Sequence, residues 1–376
     1  MSPKWTKRLL SLHRWTGLIT GINILILSIT GAYLVVAEDI DAWREAIPQN
    51  ESIEESPLTA LNVESYTNSL NIAYRTLLEH YPEARLQRVR MAQQDSIQHE
   101  FGLLQTDELG TEHFERYYVE ASSGQLIDDT HMHDHSFTHW VLELHANLFL
   151  GIFGILFLAI IGSLFLISCI SGLLVYFPYT FKLELGRVRW EKRWPIILGD
   201  WHKLLGLSSL VFNILIALSG VALTIGFLLS QMWVLQTLQE RTSQQSLEIP
   251  LSQTRSLTKP GNIYQAFSKE FEHASIETLY YPGGPQGENH YLILANASGL
   301  FTEFIPLVIT SPIHSPQELS QLQLPLWIQA VAISAPIHFG NFGGWPIKIL
   351  YVLLGLSSGL LSCSGALLYA RKRFRK

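Results

Sequence analysis

The sequence is poor in charge and in cysteine. Only 15% of its 376 residues are charged, and its two cysteines are Cys169 and Cys363. Neither belongs to a CxxC motif, so we expect no disulfide framework and no thiol-based metal site. The chain also lacks a glycine-rich phosphate loop, a nucleophile elbow and a paired-carboxylate motif. These absences give no support to kinase or protease chemistry, and nothing indicates a nucleic-acid partner.

The parts of the sequence that lack charged residues are long apolar runs. They cover roughly residues 17–36, 148–177, 204–229 and 347–369. About 20 apolar residues suffice to cross a hydrocarbon core of about 30 Å. The sequence therefore predicts an α-helical membrane protein with four transmembrane helices in a lipid bilayer.

Lysine and arginine in the loops predict the orientation of these helices. The first 14 residues hold four basic residues and no acid, residues 178–203 hold six basic residues against three acids, and the last seven hold five basic residues. Residues 38–135 hold 20 acids against six bases. Because basic loops stay in the cytoplasm, we expect both termini and the middle loop there. Residues 38–135 and 235–337 then face the periplasm of a bacterium.

Both predicted periplasmic segments show one helical pattern followed by alternating strands. The helices are predicted at 65–82 and 262–271, with strands at 85–91 and 113–128 in the first segment and at 275–284, 289–299 and 301–309 in the second. Each segment is thus expected to be a small α+β module. The predicted boundaries are 1–37 (arm and first span), 38–138 (module 1), 139–178 (second span), 179–201 (cytoplasmic loop), 202–232 (third span), 233–337 (module 2) and 338–376 (fourth span and tail).

The two halves of the chain resemble each other. Residues 13–34 align without gaps on 202–223, and 145–176 align on 338–369. Two copies of span, module and span then run in the same direction, so we expect a pseudo-twofold axis along the membrane normal. The matched pairs include His13 and His202, Gly31 and Gly220, His145 and His338, and Gly172 and Gly365.

The matched histidines predict a cofactor. By topology, His13 faces His202 near the cytoplasmic surface, and His145 faces His338 near the periplasmic surface. Two opposed imidazoles suit the axial positions of a haem iron, and the absence of CxxCH indicates non-covalent haem b. An iron with both axial positions filled leaves no place for O2, so electron transfer is the expected function. Gly151 and Gly162 are expected to share a helical face that lets a porphyrin or helix approach closely.

Other polar side chains near the spans leave alternatives open. The stretch "HMHDHSFTHWVLELH" contains His131, His133 and His135, which could hold a periplasmic metal but are better explained as a solvated loop. His139 is a reserve ligand if His145 fails. Lys348 lies one turn inside the fourth span, where a haem propionate or a lipid phosphate would pair it.

Several motifs resemble those of the PepSY-associated transmembrane proteins, often labelled iron-regulated membrane proteins. They are "LHRWTGL", "YYVEASSGQLID", "LHANLFLGIFG" and "WHKLLGL", and the resemblance covers nearly the whole chain. It implies a bacterial inner-membrane protein with two periplasmic PepSY modules. Some members are similar to di-haem ferrisiderophore reductases, which implies His13 and His202 as cytoplasmic-side ligands and His145 and His338 as periplasmic-side ligands. On that basis a ferric siderophore docked between the modules is the expected acceptor.

Other functions and partners stay open at this stage. The chain has no flavin- or nicotinamide-binding fingerprint, so an unidentified donor, such as a quinol or a cytoplasmic flavoprotein, would have to supply the electrons. A haem-free PepSY scaffold or sensor that binds or regulates periplasmic peptidases is the main rival. A metal transporter ranks last, because the spans offer only Asn23, Asn213 and scattered Ser and Thr.

Overall fold

The computed structural model describes residues 3–45, 62–92, 98–106, 111–127, 137–180, 187–242, 257–283, 290–297 and 304–373. The helices are α1 (Pro3–Leu34), α2 (Ala37–Glu45), α3 (Val63–His80), α4 (Phe137–Asn147), α5 (Ile152–Thr180), α6 (Trp194–Ser208), α7 (Leu210–Thr242), α8 (Pro260–Glu270), α9 (Leu326–Phe339) and α10 (Gly344–Arg373). The strands are β1 (Arg85–Arg90), β2 (Gln98–Thr106), β3 (Glu112–Glu120), β4 (Ala274–Tyr280), β5 (His290–Ala297), β6 (Pro306–Pro312) and β7 (Ser320–Leu322).

The chain divides into two compact units. The helical unit comprises Met1–Asn50, Asp134–Leu229 and Ile333–Lys376, and the sheet unit comprises Glu51–His133 and Ser230–Ala332. Within the described residues, four helices are long and apolar enough to cross a membrane, namely Lys4–Leu34, Ile152–Phe177, Leu210–Thr237 and Gly344–Arg371. They correspond to the four predicted spans.

Small residues allow close packing between the long helices of the helical unit. At the contact of α1 with α10, a Cβ added to Gly359 would lie 3.2 Å from the Ser28 side chain. The Ser362 hydroxyl donates to the Gly21 carbonyl at 3.0 Å. A Cβ added to Gly162 of α5 would come within 2.9 Å of Val221 on α7. Such small residues bring helix backbones together where the surroundings offer no hydrophobic driving force.

The spanning helices α5 and α10 are each preceded by a short helix. The residues that separate the two helices include some with positive φ, in the left-handed backbone region. Between α4 and α5, Leu148 and Phe149 have φ of 53° and 59° and Gly151 has φ of 55°, and before α10 Gly340 and Gly343 have φ of 67° and 71°. The expected close approach occurs at Gly162 but not at Gly151. Gly151 caps α5, since its carbonyl accepts from the Ile155 amide at 3.1 Å, but a Cβ added to it would meet nothing within 4 Å. The breaks place His145 and His338 in the last turns of α4 and α9.

One antiparallel sheet of seven strands organises the sheet unit. Its order is β3-β2-β1-β4-β5-β6-β7. Helices α3 and α8 contact each other, and both contribute to the main core. That core is made of buried apolar side chains from both halves, including Leu70, Leu77, Val89, Phe101, Ile263, Phe267, Leu279 and Ile293.

The two predicted modules meet edge to edge in this sheet. Strands β1 and β4 pair antiparallel, with Val89 opposite Leu279. The Tyr281 amide donates to the Gln87 carbonyl at 2.8 Å, and the Met91 amide to Glu277 at 2.9 Å. This seam of backbone hydrogen bonds joins the two predicted modules into one sheet. The place where a siderophore would dock stays a prediction. Strands β2 and β7 were not predicted, and α7 runs to Thr242, beyond the predicted boundary at 232.

Candidate functional site

Four histidines of the helical unit meet in two pairs. The ring centroids of His13 on α1 and His202 on α6 are 6.2 Å apart. Those of His145 on α4 and His338 on α9 are 6.3 Å apart. Both pairs join histidines that the repeat alignment matches. His139 lies on α4, six residues before His145, and it is His145 whose ring contacts His338.

Hydroxyl groups hold the rings of the His145–His338 pair. The Thr30 hydroxyl donates to the Ile26 carbonyl at 2.9 Å, so its oxygen accepts from Nδ1–H of His145 at 2.8 Å. In the same way the Ser219 hydroxyl donates to Leu215 at 2.7 Å and accepts from Nδ1–H of His338 at 3.1 Å. With the proton on Nδ1, each Nε2 carries a free lone pair.

The His13–His202 pair is held through the same ring atom. Nδ1–H of His13 donates to the Ser168 carbonyl at 2.9 Å. The Ser364 hydroxyl donates to the Leu361 carbonyl at 2.8 Å, so its oxygen accepts from Nδ1–H of His202 at 2.8 Å. All four histidines thus present Nε2 as the available ligand atom. A fixed partner on the second nitrogen is what sets the tautomer and orientation of metal-binding imidazoles.

A glycine lies against each of the four rings. A Cβ added to Gly31 or Gly220 would lie 3.0 Å from Cε1 of His145 or His338, respectively. A Cβ added to Gly172 would lie 2.9 Å from Cε1 of His13, and one added to Gly365 would lie 3.2 Å from Cε1 of His202. These positions need glycine because the ring occupies the space that a side chain would fill. We call these four glycines (Gly31, Gly172, Gly220 and Gly365) the ring seats.

Sequence reasoning found the histidines but missed what supports them. The ring seats were already matched in the repeat alignment, yet no role was given to them. Thr30–Gly31 aligns with Ser219–Gly220, so a hydroxyl residue followed by glycine recurs at the same offset. That recurrence is a signal that could have predicted the hydroxyl partners.

The separation of the rings in each pair suits one metal ion between them. An imidazole nitrogen binds a metal at about 2 Å and lies about 1 Å from its own ring centroid, so two opposed rings on one ion have centroids about 6 Å apart. The observed distances of 6.2 Å and 6.3 Å match this value. Within the described ranges, no three or more His, Cys, Asp or Glu side chains are grouped so that they could hold a metal ion. Two imidazoles at this separation could supply two nitrogen ligands to a single metal centre, such as the iron of a haem.

Polar contacts join α2 to α10 and to α4, the helix that carries His145. Lys348 of α10 pairs with Asp39 of α2, and its ammonium lies 5.7 Å from the centroid of the Trp345 ring. Asp41 of α2 accepts from the Thr138 hydroxyl at 2.7 Å. Lys348 was predicted to pair with a propionate or a lipid phosphate, and here a carboxylate of the chain itself is its partner. His131, His133 and His135 lie outside the described residues.

A folded loop precedes α6 near the His13–His202 pair. Arg189 binds Asp200 through two side-chain bonds, Nε to Oδ2 at 2.9 Å and a terminal guanidinium nitrogen to Oδ1 at 2.8 Å. The hydrogen bond from Arg189 lowers the pKa of the Asp200 carboxyl to about 2, so it is ionised at neutral pH. The ring centroids of Trp190 and Trp201 are 6.0 Å apart. Trp201 immediately precedes His202.

This architecture defines a class of protein: a four-span membrane protein with paired histidines and an antiparallel α+β unit. The comparison with protein families is specific. The chain belongs to the family described as the PepSY-associated TM region, whose model matches residues 10–372. No curated protein matches the chain.

Proposed function

We propose that this protein carries electrons across the bacterial inner membrane through two b-type haems. His13 and His202 hold the haem near the cytoplasm, and His145 and His338 hold the one near the periplasm. Haem iron supplies the one-electron redox chemistry. The observation that carries the proposal is the pair of imidazoles at each site, with ring centroids 6.2 Å and 6.3 Å apart and every Nδ1 held by the protein.

The protein's own part is to position the ligands. The bonds at Nδ1 fix each tautomer before a cofactor arrives, and the ring seats let the Cε1 edge of each imidazole approach the backbone of a neighbouring helix. Both sites use residues from both halves of the chain, which supports the proposed pseudo-twofold arrangement. Haem held by an imidazole on each side would leave no place for O2, so these four histidines would favour electron transfer.

The length of α1 supports a two-step relay. Positions 13 and 30 are 17 residues apart on this continuous helix, which corresponds to about 26 Å at the usual helical rise. His13 belongs to one site and Thr30 to the other, so the two sites lie near opposite ends of a span. The distribution of basic residues supports the placement of the termini in the cytoplasm and of the sheet unit in the periplasm.

Ferric iron held by a siderophore or another periplasmic chelate is the proposed acceptor. Reduction would weaken the chelate and release the iron, which makes the protein a ferric reductase. This step rests on the resemblance to ferrisiderophore reductases. The donor, a quinol or a cytoplasmic flavoprotein, must come from outside the chain.

A reduced-minus-oxidised visible spectrum of the detergent-purified protein, with haem quantified per chain, tests the proposal. We expect two b-type haems in the wild type and about one in His13→Ala or in His145→Ala. His139→Ala is the matched control on the same helix as His145 and should retain both haems.

A colourless protein, purified from cells supplied with haem, would overturn the proposal. The rival function, a haem-free PepSY scaffold or sensor for periplasmic partners such as peptidases, would then explain the sheet unit. Loss of a haem in His139→Ala, with both retained in His145→Ala, would reassign the periplasmic-side ligand.

A further inference from the structure

The loop before α6 has a defined fold. Arg189 reaches Asp200 through its side chain, and its backbone amide also donates to Asp200 Oδ2 at 3.2 Å. The Asp200 side chain is 5% exposed, and Lys203 approaches it at 3.5 Å. A basic loop needs no such contacts to satisfy the positive-inside rule, which depends only on charge.

This ion pair brings an exposed tryptophan close to the His13–His202 pair. Trp190, the residue after Arg189, is 67% exposed, and its ring meets Trp201 edge to face at 6.0 Å. Trp201 is the chain neighbour of His202, whose ring centroid lies 6.2 Å from that of His13. An aromatic pair, the exposed Trp190 and the half-buried Trp201, therefore lies next to the His13–His202 pair along the chain.

The charge around Trp190 is predominantly positive. Lys192 and Arg193 are exposed beside it, and Glu191 is the single acid between residues 187 and 194. Complementary charge steers the encounter of redox partners and mainly raises their association rate. A partner that fits this surface therefore carries a negatively charged docking face.

We propose that residues 187–194 are the docking surface for an acidic cytoplasmic flavoprotein that donates electrons to the His13–His202 site. The proposal rests on the function proposed above and names the donor class for that site. Trp190 is the contact point, Lys192 and Arg193 attract the partner, and Arg189 and Asp200 hold the loop in place. One electron leaves the reduced flavin and reduces the ferric centre to ferrous. No bond to the protein forms or breaks, and any proton released by the flavin goes to water.

Stopped-flow reduction of the haem-loaded protein in nanodiscs tests this surface. The nanodiscs contain neutral phosphatidylcholine, and the probe is reduced flavodoxin, an acidic flavoprotein. We expect Lys192→Glu/Arg193→Glu to lower the second-order reduction rate about tenfold at low salt, and the difference to shrink at high salt. Lys7→Glu/Arg8→Glu is the matched control, since it makes the same charge change on the other basic segment that precedes a histidine of this pair. We expect it to retain a rate within about twofold of the wild type.

A second pair of variants separates docking from electron transfer through the Trp190–Trp201 pair. Trp190→Ala should slow the reduction even at saturating flavodoxin, whereas Trp194→Ala, which removes another exposed tryptophan nearby, should not. Reduction by dithionite should be equally complete in all variants, which shows that their haems are intact.

Three outcomes would overturn the docking proposal. Equal rate losses in both double variants would indicate a general effect of surface charge. Rapid reduction by duroquinol with none by flavodoxin would identify a quinol as the donor. An effect of Lys192→Glu/Arg193→Glu that appears only in nanodiscs with anionic lipid would assign the surface to lipid headgroups. Absence of haem from the wild type would instead overturn the function on which this proposal rests.

Discussion

A single hydroxyl group on α1 decides how the ring of His145 is held. Thr30 accepts from Nδ1–H of His145 while its own proton is used by the Ile26 carbonyl. Without this oxygen, Nδ1–H loses its partner in an apolar helical bundle, where an unpaired donor costs about 1–3 kcal/mol. The loss would also let the ring rotate or change tautomer.

We therefore expect Thr30→Val to weaken binding of the proposed haem at the His145–His338 site about 10- to 100-fold. Haem titration of the apoprotein, followed by visible absorbance, measures this. Thr20→Val is the matched control, because the Thr20 hydroxyl is buried on the same helix and bonds to the Thr16 carbonyl at 2.9 Å. Equal affinities in the two variants would show that the Thr30 bond does not position the ring.

A buried histidine in the sheet unit makes its stability depend on pH. His99 is fully buried, and its Nδ1 accepts from the Ala92 amide at 3.0 Å. Burial lowers the pKa of His99 to about 4 from an ordinary value of 6.5. Protonation at Nδ1 would also break the bond to Ala92. The folded state therefore binds this proton less readily than the unfolded state does.

The His99 contribution should be complete above pH 6.5 and should be lost as the pH falls towards 4, at a cost on the order of 3 kcal/mol. Thermal unfolding of the sheet unit at several pH values measures the slope. His99→Asn keeps an acceptor for Ala92 but has no titratable ring, so its stability should depend less on pH. A slope equal to that of the wild type would assign the pH dependence to other groups.

At the scale of elements, periodicity predicted the helices and missed part of the sheet. The four spans and both helices of the modules were predictable because each has a long apolar run or a helical spacing. Strand β2 was missed because Gly102 stands between the apolar residues Phe101 and Leu103, so that apolar and polar residues do not alternate. In the structure, Phe114 packs over the space that a Cβ at Gly102 would occupy. The seam between β1 and β4 could not be predicted, since register between distant strands is set by tertiary packing. Similarly, the hydroxyl partners of the histidines depend on which helices become neighbours.

The seam should make the two halves of the sheet unit unfold together. Leu279 is fully buried on β4, opposite Val89 of β1, and Leu279→Ala should cost about 2–5 kcal/mol. We expect hydrogen exchange to become faster in both β2 and β5. Leu322→Ala changes a buried residue in the smaller cluster on β7 and should affect the second half more. If hydrogen exchange in Leu279→Ala became faster only in β4–β7, the two halves would fold independently.

At the scale of the whole molecule, the charge distribution predicts which side each segment faces. The proposed topology places residues 187–203 in the cytoplasm and the sheet unit in the periplasm. In a chain carrying Cys169→Ser and Cys363→Ser, an impermeant maleimide should label Ser122→Cys in intact spheroplasts. Lys192→Cys should react only after lysis. The reverse pattern would invert the orientation and exchange the roles of the two histidine pairs.

The spacing of residues along α1 fixes the distance between the two histidine sites. His13 and Thr30 are 17 residues apart, as are His202 and Ser219, so each of these stretches measures the distance between the two sites. One residue inserted between His13 and Thr30 would turn the end of α1 by about 100° and advance it by about 1.5 Å. Gly31 would then face away from His145 if His13 stayed in place. A change of length in this stretch would therefore disturb the geometry of the two sites relative to each other, whereas Thr30→Val changes a contact at one of them.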